Sequence, residues 1–311
     1  VKKISVALFA FSAFSAYAGE SVMSGTLVHE ESEAKPSKGH FHLLTMNCKG
    51  EDAAGPESTP QSPPLNVDDP ATPGCNRWEI NVVADGDLTS GEKTFEIPLL
   101  DINYGIGDNL QLKYEVPYTR NDGQDASTSK VGESKVGIKY SFFNDEASEL
   151  EVALYPQVAL FNPPNDEAGA HKLQTETTLP FLMTKKIAQV KNGDVVMTAN
   201  LAYTYSKVPE TQDFVAAGVG IGLPLSTRLG AMGEVTTEQA VATDSEGKRA
   251  AILKANLGLV TTLNKQFLLF ASVGHSVYSS DSVGHEYALI GFRWMTGSGK
   301  PNDPVIASVS P

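Results

Sequence analysis

In the stretch GIGDNLQLKYEVPYT, from Gly105 to Thr119, apolar and polar residues alternate. Leu110, Leu112, Tyr114, Val116 and Tyr118 take one face of an extended chain, and Gln111, Lys113, Glu115 and Pro117 take the other, because successive strand side chains point to opposite sides. The same period recurs from Arg77 onward in about twelve segments separated by turn residues. Val136, Ile138, Tyr140 and Phe142 oppose Lys135, Gly137, Lys139 and Ser141; Leu253, Ala255, Leu257 and Leu259 oppose Lys254, Asn256 and Gly258. One segment changes face: Phe95, Ile97 and Leu99 give way to Leu100, Ile102 and Tyr104, which predicts a bulge or bend. A twelve-strand antiparallel sheet is the expectation.

The connections divide by length. GIGD, PLST and LNKQ are tight turns, whereas NDGQDASTSKVG, NPPNDEAGAH, VATDSEGKR and SSDSVGH are longer polar loops. Short turns at one end and long loops at the other are the habit of transmembrane barrels. NDEAS after Phe143 and KIAQVKNG after Lys185 read as intermediate and fit the rule less well.

Ahead of the strands the chain changes character. Lys2 and Lys3, the apolar run Ile4 to Ala13 and Ala16-Tyr17-Ala18 have the order of a secretory signal peptide, so residues 1–18 are expected to be removed. Residues 19–75 are rich in Pro, Glu, Ser and Asp and lack periodicity, so they read as an irregular arm, periplasmic or inserted in the lumen. A barrel over 76–296 and a tail over 297–311 complete the division. Two cysteines, Cys48 and Cys75, in an exported chain predict a disulfide tying the arm to the first strand.

An alternating strand does not say whether its apolar face meets a core or lipid. No run after the N-terminus approaches the roughly 20 apolar residues of a spanning helix, but a spanning strand needs only about ten alternating ones. The export signal, the division of loops by length and aromatics near strand ends (Tyr104, Tyr114, Tyr118, Tyr140, Phe142, Tyr203, Tyr205, Tyr278, Trp294) favour a membrane barrel over two soluble sandwiches. The alternative puts the outer membrane and its lipid outside the picture; the favoured reading makes lipid the first partner. The formal charge of −13, with no Lys/Arg cluster, excludes nucleic acid as a partner.

The motifs DDPATPG (Asp68 to Gly74), WEIN (Trp78 to Asn81) and PLLDINYGIGDNLQLKYEVPY (Pro98 to Tyr118) resemble those of an uncharacterised group of bacterial outer-membrane barrels. That group is related to the MetA-pathway phenol-degradation proteins and is often labelled as transporters. The resemblance spans Asp68 to Trp294 and implies a barrel that passes small solutes, with aromatic or apolar ones as candidates. The arm before Asp68 and the tail after Trp294 depart from the pattern.

If the apolar sets face lipid, the interior is lined by Gln111, Lys113, Glu115, Glu133, Lys135, Lys139, Gln157, Glu176, Asn200, Glu234, Lys254, Asn256 and Arg293. Mixed signs either border a water-filled path or pair up and plug it, and the pattern leaves both open. His40, His42 and Met46 are metal-ligand types without a standard spacing, so no metal and no cofactor is expected. A hydrolase would need a Ser–His–acid set, but His275 and Ser276 are strand neighbours that point to opposite faces, and an enzyme is not the expectation. The functional candidates are a solute channel and a non-conducting structural or surface-binding barrel. The oligomeric state has no signal.

Overall fold

The computed structural model describes residues 40–41, 48, 60–124, 126–145, 147–161, 174–208, 211–243 and 247–297. The signal-peptide segment, His42, Met46 and the tail beyond 297 lie outside the described residues, as does the side chain of His40.

All regular structure among the described residues is strand: β1 (His40–Phe41), β2 (Arg77–Leu88), β3 (Glu92–Gly105), β4 (Leu110–Gly123), β5 (Ser127–Val131), β6 (Ser134–Asp145), β7 (Leu150–Leu154), β8 (Gln157–Phe161), β9 (Gln174–Val190), β10 (Gly193–Ser206), β11 (Phe214–Pro224), β12 (Leu229–Ala240), β13 (Ala251–Thr262), β14 (Phe267–Ser279) and β15 (Glu286–Gly297). Neighbours pair antiparallel, and β15 returns to β2 from Glu286 opposite Leu88 to Gly297 opposite Arg77, which closes the sheet. β7 and β8 each lie between β6 and β9, so together they make one interrupted strand. The result is a closed barrel of twelve strands, with β1 and β5 as additions. Closure leaves no long unpaired edge in the wall.

Three features refine the sequence reading. The expected face change appears as a register shift between Glu96 and Leu99, where Pro98 cannot donate to a ladder. The segment Glu149–Phe161 breaks at Tyr155-Pro156, because Pro156 has no N–H to offer, and Tyr155 turns into the interior with 1% exposure. The connection after Lys185 is shorter than its sequence suggested. β9 runs on to Val190, and only Lys191 and Asn192 separate it from Gly193, whose φ of 143° suits glycine. All five connections at that end are therefore tight, while the polar loop before β6 contains the strand β5.

The exterior is apolar. Leu201, Val219, Val235, Leu257, Val273 and Ile290 are exposed along the middle of their strands. Tyr118, Tyr203, Tyr205 and Tyr278 are exposed near the loop end, and Trp294 stacks on Phe267 near the turn end. Exposed aliphatic residues bounded by aromatics form a continuous surface that water disfavours and a bilayer accepts. Leu110 departs from the alternation: it is buried, at the start of β4.

Candidate functional site

The interior is built by the other half of each alternation, and it contains the last part of the arm. Residues 60 to 72 pass round the inner wall, meeting successive strands. Arg293 on β15 donates to the Gln61 side-chain oxygen and, at 3.1 Å, to the Pro63 carbonyl. Ser272 on β14 donates to the Pro64 carbonyl at 2.7 Å. Leu65 lies against Gly258 on β13. Glu234 on β12 accepts from Asn66 N (2.9 Å), Asn66 Nδ2 (2.8 Å) and Val67 N (2.8 Å), and from Asn256 Nδ2 at 2.6 Å.

The path continues over β11, where Gly218 and Gly220 make the space for Val67. A Cβ on Gly220 would come within 2.7 Å of Val67 Cγ2, and one on Gly218 within 2.9 Å of Val67 Cγ1. Asn200 on β10 donates to Asp68 O at 2.9 Å and accepts from Asp68 N at 2.7 Å. Lys139 on β6 then binds the Asp68 carboxylate at 2.9 Å and the carbonyls of Asp69 (2.8 Å) and Ala71 (3.2 Å). Finally Thr72 donates to Asp108 O in the β3–β4 turn. The arm's amides and carbonyls are thus met by side chains of the wall, which removes the cost of burying irregular backbone. The Cys48–Cys75 disulfide closes a covalent loop of the chain that includes this part of the arm.

The apolar side chains of the arm are also matched. Leu65 and Val67 form a cluster with Val83, Met232, Val260, Leu268 and Phe270, which point inward. These inward apolar residues were not anticipated from sequence, although the alternation already put Val260 on the face of Asn256 and Gly258.

A polar network occupies the facing wall. Asp101 Oδ2 accepts from Asn81 at 2.9 Å and from Asn103 at 3.2 Å, and Asp101 also lies 3.4 Å from Lys113. Lys113 continues to Glu115 at 2.7 Å, Glu115 to Lys135 at 2.9 Å, and Lys135 to Glu133 at 3.8 Å. Gln111 donates to Asn103 at 2.6 Å and to the Tyr155 hydroxyl at 3.2 Å. Arg293 donates to Asn81 at 2.8 Å and lies 3.3 Å from Glu79. Tyr155 presents its ring to Lys139, 4.8 Å from the centroid. Of the remaining residues singled out, Lys254 pairs with Glu238 and lies over Tyr287, Glu176 accepts from Ser206, and Gln157 borders a cavity.

Asp101, Asn103, Glu79 and Asn81 were not singled out, yet LLDINYG and WEINVV carry them at every second position opposite apolar neighbours. Tyr155 also keeps the parity of Gln157 and of Glu151, so the alternation carries it inward through the strand break, but as an aromatic residue it does not read as part of a polar lining. Among the described residues no group of three or more His, Cys, Asp or Glu could hold a metal ion. His275 is exposed and Ser276 buried, as opposite faces require.

The arm divides the lumen into two cavities. One, of about 620 Å³, lies on the loop side and is bordered by Asp85, Glu96, Lys113, Glu115, Lys254 and the arm residues Ser62–Asp68. The other, of about 200 Å³, is bordered by Gln61, Asp69, Thr72, Lys139, Glu151 and Arg293. Ser62, Asp68, Asp101, Lys113 and Tyr155 border both.

Asp69 is buried on the arm, and that burial pushes its carboxyl up to about 7, with Lys139 acting in the opposite sense. The seated arm therefore holds a proton between about pH 4 and 7 that a released arm has given up. Seating is strongest at the acid end of this window and weakens as pH rises through it. Asp69→Asn is expected to flatten the dependence, read as protection of residues 60–72 from added protease between about pH 5 and 8; an unchanged slope would show that Asp69 does not set it.

No family model and no curated protein matches the sequence. In structure the chain is similar to an outer membrane channel from Pseudomonas putida F1, with a TM-score of 0.57 at 11% identity over 75% of this chain and 100% of that one. Two weaker likenesses are the NanC porin (TM-score 0.48, 9% identity, 69% of this chain and 98% of that one) and the translocator domain of the autotransporter NalP from Neisseria meningitidis (0.44, 13%, 73% and 90%). The fold is that of an outer-membrane β-barrel.

Proposed function

We propose that the protein is an outer-membrane channel for small solutes in which the arm is a removable diaphragm. The observation that carries this reading is the division of one closed lumen into two cavities by a segment of irregular backbone, rather than a lumen filled by side chains of the wall. Apart from its continuity with β2 and the Cys48–Cys75 disulfide, the arm is held in the lumen by noncovalent contacts to wall side chains, so its displacement would join the cavities into a through-path. The apolar exterior fits residence in the outer membrane, and the export signal would deliver the chain there.

Leu99, Leu182 and Leu289 border the larger cavity beside charged residues, giving it surfaces for an aromatic or apolar solute. That solute class, and the tie to the phenol-degradation group, rest on the sequence motifs from Asp68 to Tyr118. The cluster around Leu65 and Val67 favours the second reading, a permanently closed structural barrel.

Purified protein in a planar bilayer separates the two. Stepwise conductance is expected from the channel, with brief openings from a mostly seated arm. Silent bilayers, from protein whose gel migration changes on boiling and which is therefore folded, would favour the closed barrel.

A further inference from the structure

We infer that, among charged solutes, the route through the barrel admits cations in preference to anions. This deepens the channel reading and rests on it. Among the described residues, those bordering the two cavities include ten Asp and Glu side chains, nine besides Asp69, which burial keeps protonated up to about pH 7, against five lysines and arginines. The imbalance is sharpened by pairing. Each of the five cations already has a carboxylate within ion-pair distance: Lys113 and Lys135 share Glu115, Lys139 has Asp68, Lys254 has Glu238 and Arg293 has Glu79. An anion entering the lumen therefore meets no cationic side chain whose charge is uncompensated.

The surplus of negative charge has a location. Asp85 on β2 and Glu96 on β3 are direct cross-strand partners, and both border the larger cavity on its loop side. Neither has a lysine or arginine within ion-pair distance among the described residues. Like charges placed opposite each other weaken a strand pair, and mobile cations in the cavity offset that repulsion. Lys254, three strands along the wall on β13, also borders this cavity, but Glu238 neutralises it at 3.2 Å. Carboxylates lining a narrow, low-dielectric passage raise the local concentration of cations and lower that of anions. The preference is thus a property of the whole lining, strongest where a solute enters from the loop side.

The test uses the full-length protein in planar bilayers under a tenfold potassium chloride gradient. A permeability ratio of potassium over chloride of roughly 5 or more is expected, as for a passage whose potential amounts to about one kT. The double variant D85N/E96Q should lower that ratio by at least about twofold, and Lys254→Met, which frees Glu238, should raise it. A wild-type ratio at or below unity overturns the inference while leaving the channel reading in place. A double variant with an unchanged ratio, or a Lys254→Met protein with a lower one, overturns the assignment of selectivity to this lining. Absence of conductance from folded protein overturns the channel reading and this inference with it.

Discussion

Glu234→Ala is expected to unseat the arm and leave the barrel folded. The Glu234 carboxylate is the hub of the contact, since its two oxygens take the backbone N–H groups of Asn66 and Val67, the Asn66 amide and the Asn256 amide. Hydrogen bonds to a charged acceptor contribute about 1.5–3 kcal/mol each, and removing the charged partner of a buried set costs about 3–5 kcal/mol. Three of the four donors belong to the arm, so most of that loss falls on seating rather than on the wall. At about 1.4 kcal/mol per tenfold, the ratio of closed to open channels should fall roughly a hundredfold to a thousandfold.

Lys139, Arg293, Ser272 and the disulfide still hold the arm nearby, so the expected record is long openings that close again. Glu234→Gln should behave similarly, because its amide presents N–H groups to donors. The measurement is single-channel open time, with boiled and unboiled migration as the check on folding. Brief, wild-type-like openings from folded Glu234→Ala protein would count against a seated arm as the gate.

The Glu234 contact also shows what the sequence could and could not say about this site. Alternation placed Glu234, Asn256, Lys139 and Arg293 on one face of their strands, because a period of two is a local property that any closed wall preserves. It could not say what they meet. The arm is read as unstructured because NVDDPATPG has no period, yet it is held by long-range contacts, such as Asn66 to Glu234, that leave no local trace. The run GVGIG in β11 is the one wall feature that hints at it. Glycines at every second position remove side chains from one face, and Val67 fills the space. The strand break at Tyr155-Pro156 was hidden for a different reason. Apolar residues on both sides of it continue the pattern, and only the missing N–H of Pro156 marks the gap.

The second large effect is expected outside the lumen, at Leu257→Arg. Leu257 lies midway along β13, is 69% exposed, and has Gly233 and Val273 as cross-strand neighbours. In water an exposed leucine could be exchanged for arginine within about 0.5 kcal/mol, since most of its surface is already solvated. In a bilayer the same position is near the midplane, where arginine on the lipid face costs about 2–4 kcal/mol, falling to about 0–1 kcal/mol at the interfaces. Thr261→Arg supplies the comparison, because it shares that face of β13 but lies beside the β13–β14 turn. Urea titrations of both variants folded into lipid vesicles should show the large loss for Leu257→Arg and little for Thr261→Arg. Equal, small effects would mean that the apolar exterior meets something other than hydrocarbon, and the barrel would then need a protein to cover it.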